Sequence, residues 1–260
     1  MDPDLRRALD FERWIYDSAT EELIRFPWGV AGFSDELNVM WDLNFVRVDS
    51  SDAPPANELI ELADRLHRKR GRKFRSIVVM DAQAVDRLRS SFDELGWHRD
   101  GIVLMIHRRA PDKQPVGVDV RECDEATIGE LRDQLRQEEA DGDDDVTPEV
   151  IEQWGLLDGI LRRYAATRWF AAFDEGRPVS LCEVFSDGRT AQIEDVATLE
   201  AYQNRGFASA NVLGALEAAR ADNDLVFLVA GEDDWPKTLY EKLGFDQVGR
   251  WDHFLVKKAP

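Results

Sequence analysis

Residues 203–208 have a sequence that suits phosphate binding, Gln-Asn-Arg-Gly-Phe-Ala. They follow a stretch ending near Thr198 whose pattern predicts a strand, and a helix is predicted to begin at about Gly206. The first turn of a helix presents unpaired backbone N–H groups, and small residues at its start let an anion reach them. The segment therefore predicts a phosphate-binding turn between a strand and a helix.

The common nucleotide-binding motifs do not match this turn. A P-loop would end in Gly-Lys followed by Ser or Thr, and a dinucleotide-binding turn would carry three spaced glycines. Here Gly206 is the glycine of the turn, and Ala208 occupies the next small position. A glycine at a helix start is also a common turn device with no ligand, so the six residues alone leave both interpretations open.

A second segment, residues 233–245, favours the ligand-binding interpretation. It follows an apolar stretch, contains Pro236 where a first helical turn tolerates proline, and has Gly244 where the helix is expected to end. Together the two segments resemble the two acyl-CoA-binding signatures of the GNAT superfamily of N-acetyltransferases. They occur in the order and at a spacing that fit that family.

The resemblance implies an N-acyltransferase that moves an acetyl group from acetyl-CoA to a primary amine by direct attack on the thioester. It implies Glu194 as the catalytic base and Tyr240 as the group that faces the departing sulfur. Strand alternation puts Glu194 on one face with Val196, and Asp195, a weaker candidate, on the other. The alternatives are a salt-bridged or solvated glutamate and a half-buried tyrosine without a catalytic role.

The resemblance also implies which residues bind the cosubstrate. The strand before the turn offers backbone N–H groups to the thioester oxygen, and the turn offers its own to the diphosphate. Asp233 stands where the family often has asparagine, a departure expected to weaken one contact to the pantetheine arm. The expected acetyl-CoA-binding residues are Val196, Ala197, Thr198, Gln203, Asn204, Arg205, Gly206, Phe207, Ala208 and Asp233.

The pattern of the second half predicts the elements that position these residues. Periodicity and turn residues predict the order β-α-α-β-β-β-α-β-α-β, which is the order of a GNAT domain. The expected fold class is therefore α/β (α+β), with a mixed, mostly antiparallel sheet flanked by helices. The resemblance covers roughly residues 116–260.

The first half is predicted to be a degenerate copy of the same unit. Residues 92–97 followed by an apolar strand at 102–106 repeat the pattern around Tyr240, and an internal repeat of this length indicates a duplicated domain. The copy has lost its glycine at 51–56, where two prolines and an aspartate stand, and it carries Phe92 in place of the tyrosine. We expect two GNAT-like domains, residues 1–110 and 116–260, joined by a Pro-containing linker.

Composition limits the function classes. A formal net charge of −19 argues against nucleic-acid binding, because neutralising phosphates requires a basic face. The excess acid has two interpretations, solubility, which we favour, and attraction of a cationic substrate. The acidic run 141–145 likewise has two interpretations, a solvated loop and a segment that helps to bind an amine. Two cysteines and four scattered histidines, with His253 the one that could face an acceptor, give no metal-binding spacing.

The expected partner is an amine-bearing small molecule or peptide, with no nucleic acid and no membrane, and a homodimer is one expected assembly. The sequence shows no signal peptide and no apolar run long enough to span a membrane, so a cytoplasmic location is expected. Two other functions remain open. One is a catalytically silent CoA-binding regulatory module, and the other is a protein-interaction scaffold that binds no acyl-CoA.

Overall fold

The chain forms helices packed on both faces of a sheet. The structure is a computed structural model that describes residues 2–143 and 145–257. Its α-helices are α1 (Pro3–Ala19), α2 (Ala56–Lys69), α3 (Ala82–Glu94), α4 (Glu125–Gly142), α5 (Pro148–Leu161), α6 (Phe207–Asp222) and α7 (Trp235–Lys242). Its strands are β1 (Glu22–Phe26), β2 (Gly29–Phe33), β3 (Phe45–Val48), β4 (Arg75–Val79), β5 (His98–His107), β6 (Asp119–Cys123), β7 (Ala166–Asp174), β8 (Arg177–Ser186), β9 (Thr190–Thr198), β10 (Leu225–Gly231) and β11 (Phe245–Val256).

The second half has the predicted order of elements, from β6 through α4 and α5 to β11. Local signals explain where its helices begin. The Asp124 carboxylate accepts a hydrogen bond from the backbone N–H of Thr127 at 2.9 Å, which caps α4. Thr147 caps α5, whose first turn contains Pro148. The fold class is confirmed, since the sheet is mixed and mostly antiparallel.

The first half has the order α1-β1-β2-β3-α2-β4-α3-β5. Its last five elements correspond to the last five of the second half, as the repeat predicts. Helix α1 and the β1–β2 hairpin were not among the predicted elements. The hairpin pairs Phe26 with Gly29, and a side chain at Gly29 would collide with the Arg47 carbonyl oxygen at 2.0 Å, so glycine is required there.

The two halves share one sheet because they exchange their last strands. In the described part of the chain the spatial order is β1-β2-β3-β4-β11-β5-β10-β9-β8-β7-β6. Strand β5 of the first half lies between β10 and β11, and β11 of the second half lies between β4 and β5, with antiparallel pairing throughout. The boundary predicted at residues 110–116 of the chain therefore does not coincide with a boundary in the sheet.

A buried ion-pair cluster stabilises the exchanged strands. Asp252 of β11 is fully buried, and its carboxylate accepts hydrogen bonds from Arg89 of α3 at 2.8 and 2.9 Å. Arg99 of β5 lies 3.3 Å from the same carboxylate. Removing either strand would leave buried charge uncompensated, so these pairs favour the exchanged arrangement.

The first half also covers one face of the second half's strands. On β5, Leu104 and Ile106 face α1, and the ring of Phe11 on α1 meets that of Phe227 on β10 at 5.7 Å. The opposite face packs against α6 and α7 through a separate apolar cluster. None of the helices in residues 2–143 and 145–257 is both long and apolar enough to cross a membrane. Helix α1 therefore covers one face of the sheet at β5 and β10.

Candidate active site

Strands β9 and β10 separate from one another and leave an opening in the sheet. They pair in parallel from Thr190 and Leu225 to Ile193 and Leu228, whereas residues 194–198 and 229–231 continue without pairing to each other. A β-bulge lies at the point of separation. Asp195 and Val196 of β9 stand opposite the single residue Cys182 of β8. Bulges bend a strand and increase its twist, which explains the divergence.

The bulge also changes which way the side chains of β9 point. Asp195 has a positive φ of 50°, so the alternation of faces breaks at this residue. Glu194 contacts Gln192 on the face covered by α1, whereas Val196 packs against the cluster beneath α6. The expectation that Glu194 and Val196 share a face is therefore wrong. Asp195 was expected on the opposite face from Glu194. Its carboxylate instead lies 3.8 Å from Arg132 of α4 and not beneath α6.

The predicted phosphate-binding turn has unpaired donors at its helix start. Gly206 occupies the cap position of α6 with φ of 89° and no side chain to accept from the first turn. The first helical bond runs from the Ala210 N–H to the Gly206 carbonyl at 3.0 Å, which leaves the N–H groups of Phe207, Ala208 and Ser209 without helical partners. Three free N–H groups at one helix start suit the binding of an anion.

Two contacts hold this turn in place. The Phe207 ring is buried with Ala172 and Val179, so the helix start is anchored to the sheet from behind. The Gln203 amide donates to the Thr198 carbonyl at 3.3 Å, which ties the turn to β9. The turn is thus fixed relative to the opening in the sheet.

A cleft of about 1350 Å³ connects the turn with the opening. It is larger than the roughly 300–1000 Å³ of most small-molecule sites, so an extended ligand fits it. Of the residues expected from the sequence, the cleft is lined by Glu194, Val196, Ala197, Thr198, Gln203, Asn204, Gly206, Phe207, Ala208 and Tyr240.

Two expected residues are not in the cleft wall. The Arg205 guanidinium pairs with Asp174 of β7 at 3.0 Å and lies over the Tyr202 ring at 5.2 Å. Asp233 has a side chain that is 88% exposed, with Arg99 at 3.9 Å as its cationic neighbour. The side chains of Arg205 and Asp233 are therefore directed away from the cleft.

Tyr240 lies at the inner end of the cleft. The residue is buried on α7, and no group in the described part of the chain hydrogen bonds with its hydroxyl. Burial raises the pKa of Tyr240 above its usual value, and the Glu194 carboxylate raises it further. The phenol therefore stays protonated at neutral pH and is available as a donor.

Glu194 belongs to a pair of carboxyl groups that join the two halves. The Gln192 side-chain amide donates to both Glu194 and Glu12, a residue of α1 that is only 5% exposed. Burial raises the pKa of Glu12 to about 8, and the Glu194 charge adds to this shift. Burial also raises the pKa of Glu194 to about 7, with a contribution from Asp195. A carboxylate with such a pKa is a stronger base than an exposed one.

The raised pKa values predict how stability depends on pH. The folded protein retains protons on Glu12 and Glu194 above the usual carboxyl pKa of 4.5, where the unfolded chain has released them. Stability therefore falls as the pH rises from about 4.5 to about 8. We expect Glu12→Gln to raise the melting temperature at pH 8.5 by about 3 °C or more and to change it less at pH 5.

Differential scanning calorimetry at both pH values measures this effect. Glu36→Gln is the control, because Glu36 is exposed and its substitution removes the same charge. Equal shifts in the two variants would show that Glu12 carries no raised pKa.

Several residues of the cleft were missed by sequence reasoning. Ser209 continues the uncapped turn, and helix geometry alone could have added it. Gln192 lies two residues before Glu194, so alternation could have placed it beside that carboxylate. Tyr16 comes from α1, and no local signal joins that helix to β9.

The cysteines and histidines do not form a reactive centre. Cys182 is fully buried in the cluster beneath α6, and burial raises the pKa of its thiol. Within residues 2–143 and 145–257, no group of three or more His, Cys, Asp or Glu side chains could hold a metal ion. In the acidic run 141–145, Asp145 pairs with Lys257 at 2.8 Å, and Asp144 lies outside the described residues.

The corresponding place in the first half is closed. Strands β3 and β4 pair up to their last residues, and the Met80 N–H donates to the Val48 carbonyl at 2.8 Å just beyond them. The Arg87 guanidinium donates to the carbonyls of Ser51 and Ala53 at 3.2 and 2.8 Å. No opening comparable to that between β9 and β10 is present in this part of the described chain.

The fold and site define a protein with two divergent parallel strands, an opening between them and an uncapped helix start beside that opening. Residues 128–245 match the acetyltransferase (GNAT) family. No curated protein matches the sequence.

Solved structures resemble the chain over both halves. A functionally unknown conserved protein from Staphylococcus epidermidis matches with a TM-score of 0.70 and 16% identity, over 92% of this chain and 95% of its own. A GCN5-related N-acetyltransferase from Kribbella flavida matches with a TM-score of 0.63 and 15% identity, over 98% and 95%. A tandem GNAT protein from the clavulanic acid biosynthesis pathway matches with a TM-score of 0.54 and 17% identity, over 83% and 76%. At these identities the likeness shows the fold.

Proposed function

We propose that the protein is an N-acetyltransferase that moves the acetyl group of acetyl-CoA to a primary amine. The observation that carries the proposal is the opening between β9 and β10, which has an uncapped helix start at one end and Glu194 and Tyr240 at the other. An activated acyl group held in that opening would lie between a base and a proton donor. The match of residues 128–245 to the GNAT family supports the same reaction class.

The diphosphate of acetyl-CoA binds at the backbone N–H groups of Phe207, Ala208 and Ser209. The partial positive charge at the start of α6 adds to this attraction. The net charge of −19 opposes it at long range, but salt screens distant charges beyond about 10 Å. The pantetheine arm then follows the unpaired edge of β9 from Thr198 to Val196.

Glu194 accepts the proton of the acceptor ammonium. An alkyl ammonium has a pKa of about 10.4, so removing its proton at pH 7 costs on the order of 4 to 5 kcal/mol, and a positioned base lowers this barrier. The raised pKa of Glu194, about 7, matches it to this task near neutral pH. The neutral amine then attacks the thioester carbon.

Attack forms the C–N bond and puts negative charge on the former carbonyl oxygen. We assign the stabilisation of that charge to the backbone N–H of Val196, a residue of the bulge. Collapse breaks the C–S bond, and the Tyr240 hydroxyl gives its proton to the departing thiolate. Of the two protons still on nitrogen, one stays in the amide and the other passes through solvent to the Tyr240 phenolate. Glu194 releases its proton to solvent, and the products are the amide and CoA.

The first half supports the site and binds no acetyl-CoA of its own. Its counterpart of the opening is closed, and Phe92, which replaces the tyrosine, is fully buried against Phe254 of β11 at a ring distance of 4.1 Å. In this proposal residues 1–110 serve as scaffold and residues 116–260 carry catalysis. A cytoplasmic location and a homodimer stay predictions.

Acetyl-CoA turnover with a panel of primary amines tests the proposed function. Released CoA thiol is titrated with a chromogenic disulfide, and we expect release that depends on the amine. Tight acetyl-CoA binding without turnover on any amine would instead indicate a silent CoA-binding module. No shift of the melting temperature with acetyl-CoA would indicate a scaffold that binds no acyl-CoA.

Tyr240→Phe tests the proton donor. The substitution removes the hydroxyl and keeps the buried ring, so we expect kcat to fall roughly 10-fold to 100-fold with little change in KM for acetyl-CoA. The control is Tyr164→Phe, because Tyr164 is exposed and does not line the cleft. An unchanged kcat in the Tyr240 variant would remove this residue from the mechanism.

A further inference from the structure

A second cavity lies beside the cleft, on the sheet face covered by α1. Its volume is about 370 Å³, within the roughly 300–1000 Å³ of small-molecule sites. Tyr16 and Glu194 line both this cavity and the cleft, so the two spaces meet at the candidate base. We call the second cavity the acidic chamber, after the carboxylates in its wall: Glu12, Asp42, Asp100 and Glu194.

Both halves of the chain build the acidic chamber. Trp41 and Asp42 come from the segment between β2 and β3, and Asp100 comes from β5. Trp251 and His253 come from β11, which the strand exchange brings next to β4 and β5. Because of the strand exchange, residues of the first half and Glu194 line the same cavity.

The acidic chamber contains more carboxyl groups than its own cations can pair with. Within residues 2–143 and 145–257, Glu12, Asp42 and Glu194 form no ion pair with a lysine, arginine or histidine. Arg47 is in the wall, but it is paired with Asp17 at 2.6 Å and with Asp49 at 3.0 Å. Without a counter-charge these groups keep their protons more readily, as the raised pKa values of Glu12, Glu194 and Asp42 show, and a cation supplied from outside would let them ionise.

The remaining titratable groups of the wall do not change this balance. His253 contacts Ser76 at 3.0 Å, and burial lowers the pKa of its imidazole to about 4, so it is neutral. Asp100 lies 2.9 Å from His98, whose side chain is 63% exposed. Tyr16 is uncharged because burial and the Glu12 charge raise the pKa of its phenol.

Aromatic rings complete the wall. Trp251 is 7% exposed and Trp41 is 37% exposed, and both indoles line the acidic chamber. An indole face attracts an ammonium group, and the attraction is strongest where water is excluded. Rings together with carboxylates select an organic cation over a metal ion, which would need several converging oxygen ligands.

We propose that the acidic chamber binds the second ammonium group of a diamine acceptor while the first faces Glu194. This inference rests on the proposed N-acetyltransferase function and names its substrate class. Asp42 and Asp100 neutralise the distant ammonium, and Trp41 and Trp251 enclose it. A monoamine of the same length leaves these carboxylates without a counter-charge, so it binds more weakly.

Cadaverine and pentylamine form a matched pair for the test, since they differ by one terminal amine. We expect kcat/KM for cadaverine to exceed that for pentylamine by about tenfold or more. Asp42→Asn and Trp41→Leu should each reduce this ratio several-fold through KM for the diamine, with KM for acetyl-CoA unchanged. Glu36→Gln, which removes an exposed charge from the same segment, should keep the wild-type ratio.

The outcomes separate this inference from the proposed function. Equal use of both amines, or a ratio that both chamber variants leave unchanged, would overturn the chamber proposal while amine acetylation stands. Turnover of no amine would overturn the proposed function, and isothermal titration calorimetry then decides on the chamber. Cadaverine binding that Asp42→Asn weakens would support it, and no binding to the wild-type protein would overturn it.

Discussion

Gly206→Glu is expected to reduce the affinity for acetyl-CoA by about 100-fold or more, which corresponds to about 2.7 kcal/mol. A Cβ at Gly206 has no atom within 4 Å, so the new side chain would extend into open space at the helix start. A carboxylate there would occupy the diphosphate position and repel it, and it could itself accept from the free N–H groups. Isothermal titration calorimetry with acetyl-CoA measures the loss.

The same substitution at Gly188 is a matched control for backbone strain. Gly188 lies in the β8–β9 turn with φ of 87° against 89° for Gly206, and its Cβ would also meet open space. Gly188→Glu should therefore cost similar stability and leave acetyl-CoA affinity unchanged. Equal loss of affinity in both variants would mean that strain, and not the anion site, explains the effect.

Glu194→Gln is expected to lower kcat by about 100-fold to 1000-fold while acetyl-CoA affinity stays within a few-fold of wild type. The amide keeps the size of the carboxyl group and its contact with Gln192, but it cannot take a proton. In the wild-type enzyme only the ionised carboxylate accepts a proton, so kcat/KM should rise with pH through about 7. Steady-state kinetics between pH 6 and 9 should show that the rise of kcat/KM with pH is lost in the variant.

Asp195→Asn is the control for Glu194→Gln. Asp195 is the neighbouring acid, its side chain is about half exposed, and asparagine tolerates its positive φ. We expect it to keep a kcat within about fivefold of wild type, as a surface charge change allows. A large loss in the Asp195 variant together with an active Glu194 variant would assign the base to the other carboxylate.

The second half of the fold could be predicted because its signals are local. Asp124, Thr147, Pro148 and Gly206 stand at helix ends, and the strands alternate or run as short apolar stretches. The uncapped start of α6 could be predicted for the same reason, since a helix start without a capping side chain depends on neighbouring residues alone.

The strand exchange could not be predicted, because nothing local determines which distant strand a strand pairs with. Strand β5 pairs with β10 and β11, and its side chains pack on both faces of the sheet, Leu104 toward α1 and Met105 toward α6. Such packing depends on residues far away in the chain. The acidic chamber depends on that pairing, so it could not be predicted from the sequence either.

The bulge at Asp195 escaped the alternation rule for a related reason. One extra residue reverses the faces that follow it, and the sequence around Asp195 has no glycine to mark the positive φ. The side-chain direction of Arg205 was missed because its partner, Asp174, lies on another strand.

A crystal structure with bound acetyl-CoA tests the central claim most directly. The account predicts the diphosphate within hydrogen-bonding distance of the backbone nitrogens of Phe207, Ala208 and Ser209, and the thioester in the opening between Glu194 and Tyr240. A diphosphate bound at any other place, such as beside residues 51–56 of the first half, would contradict it.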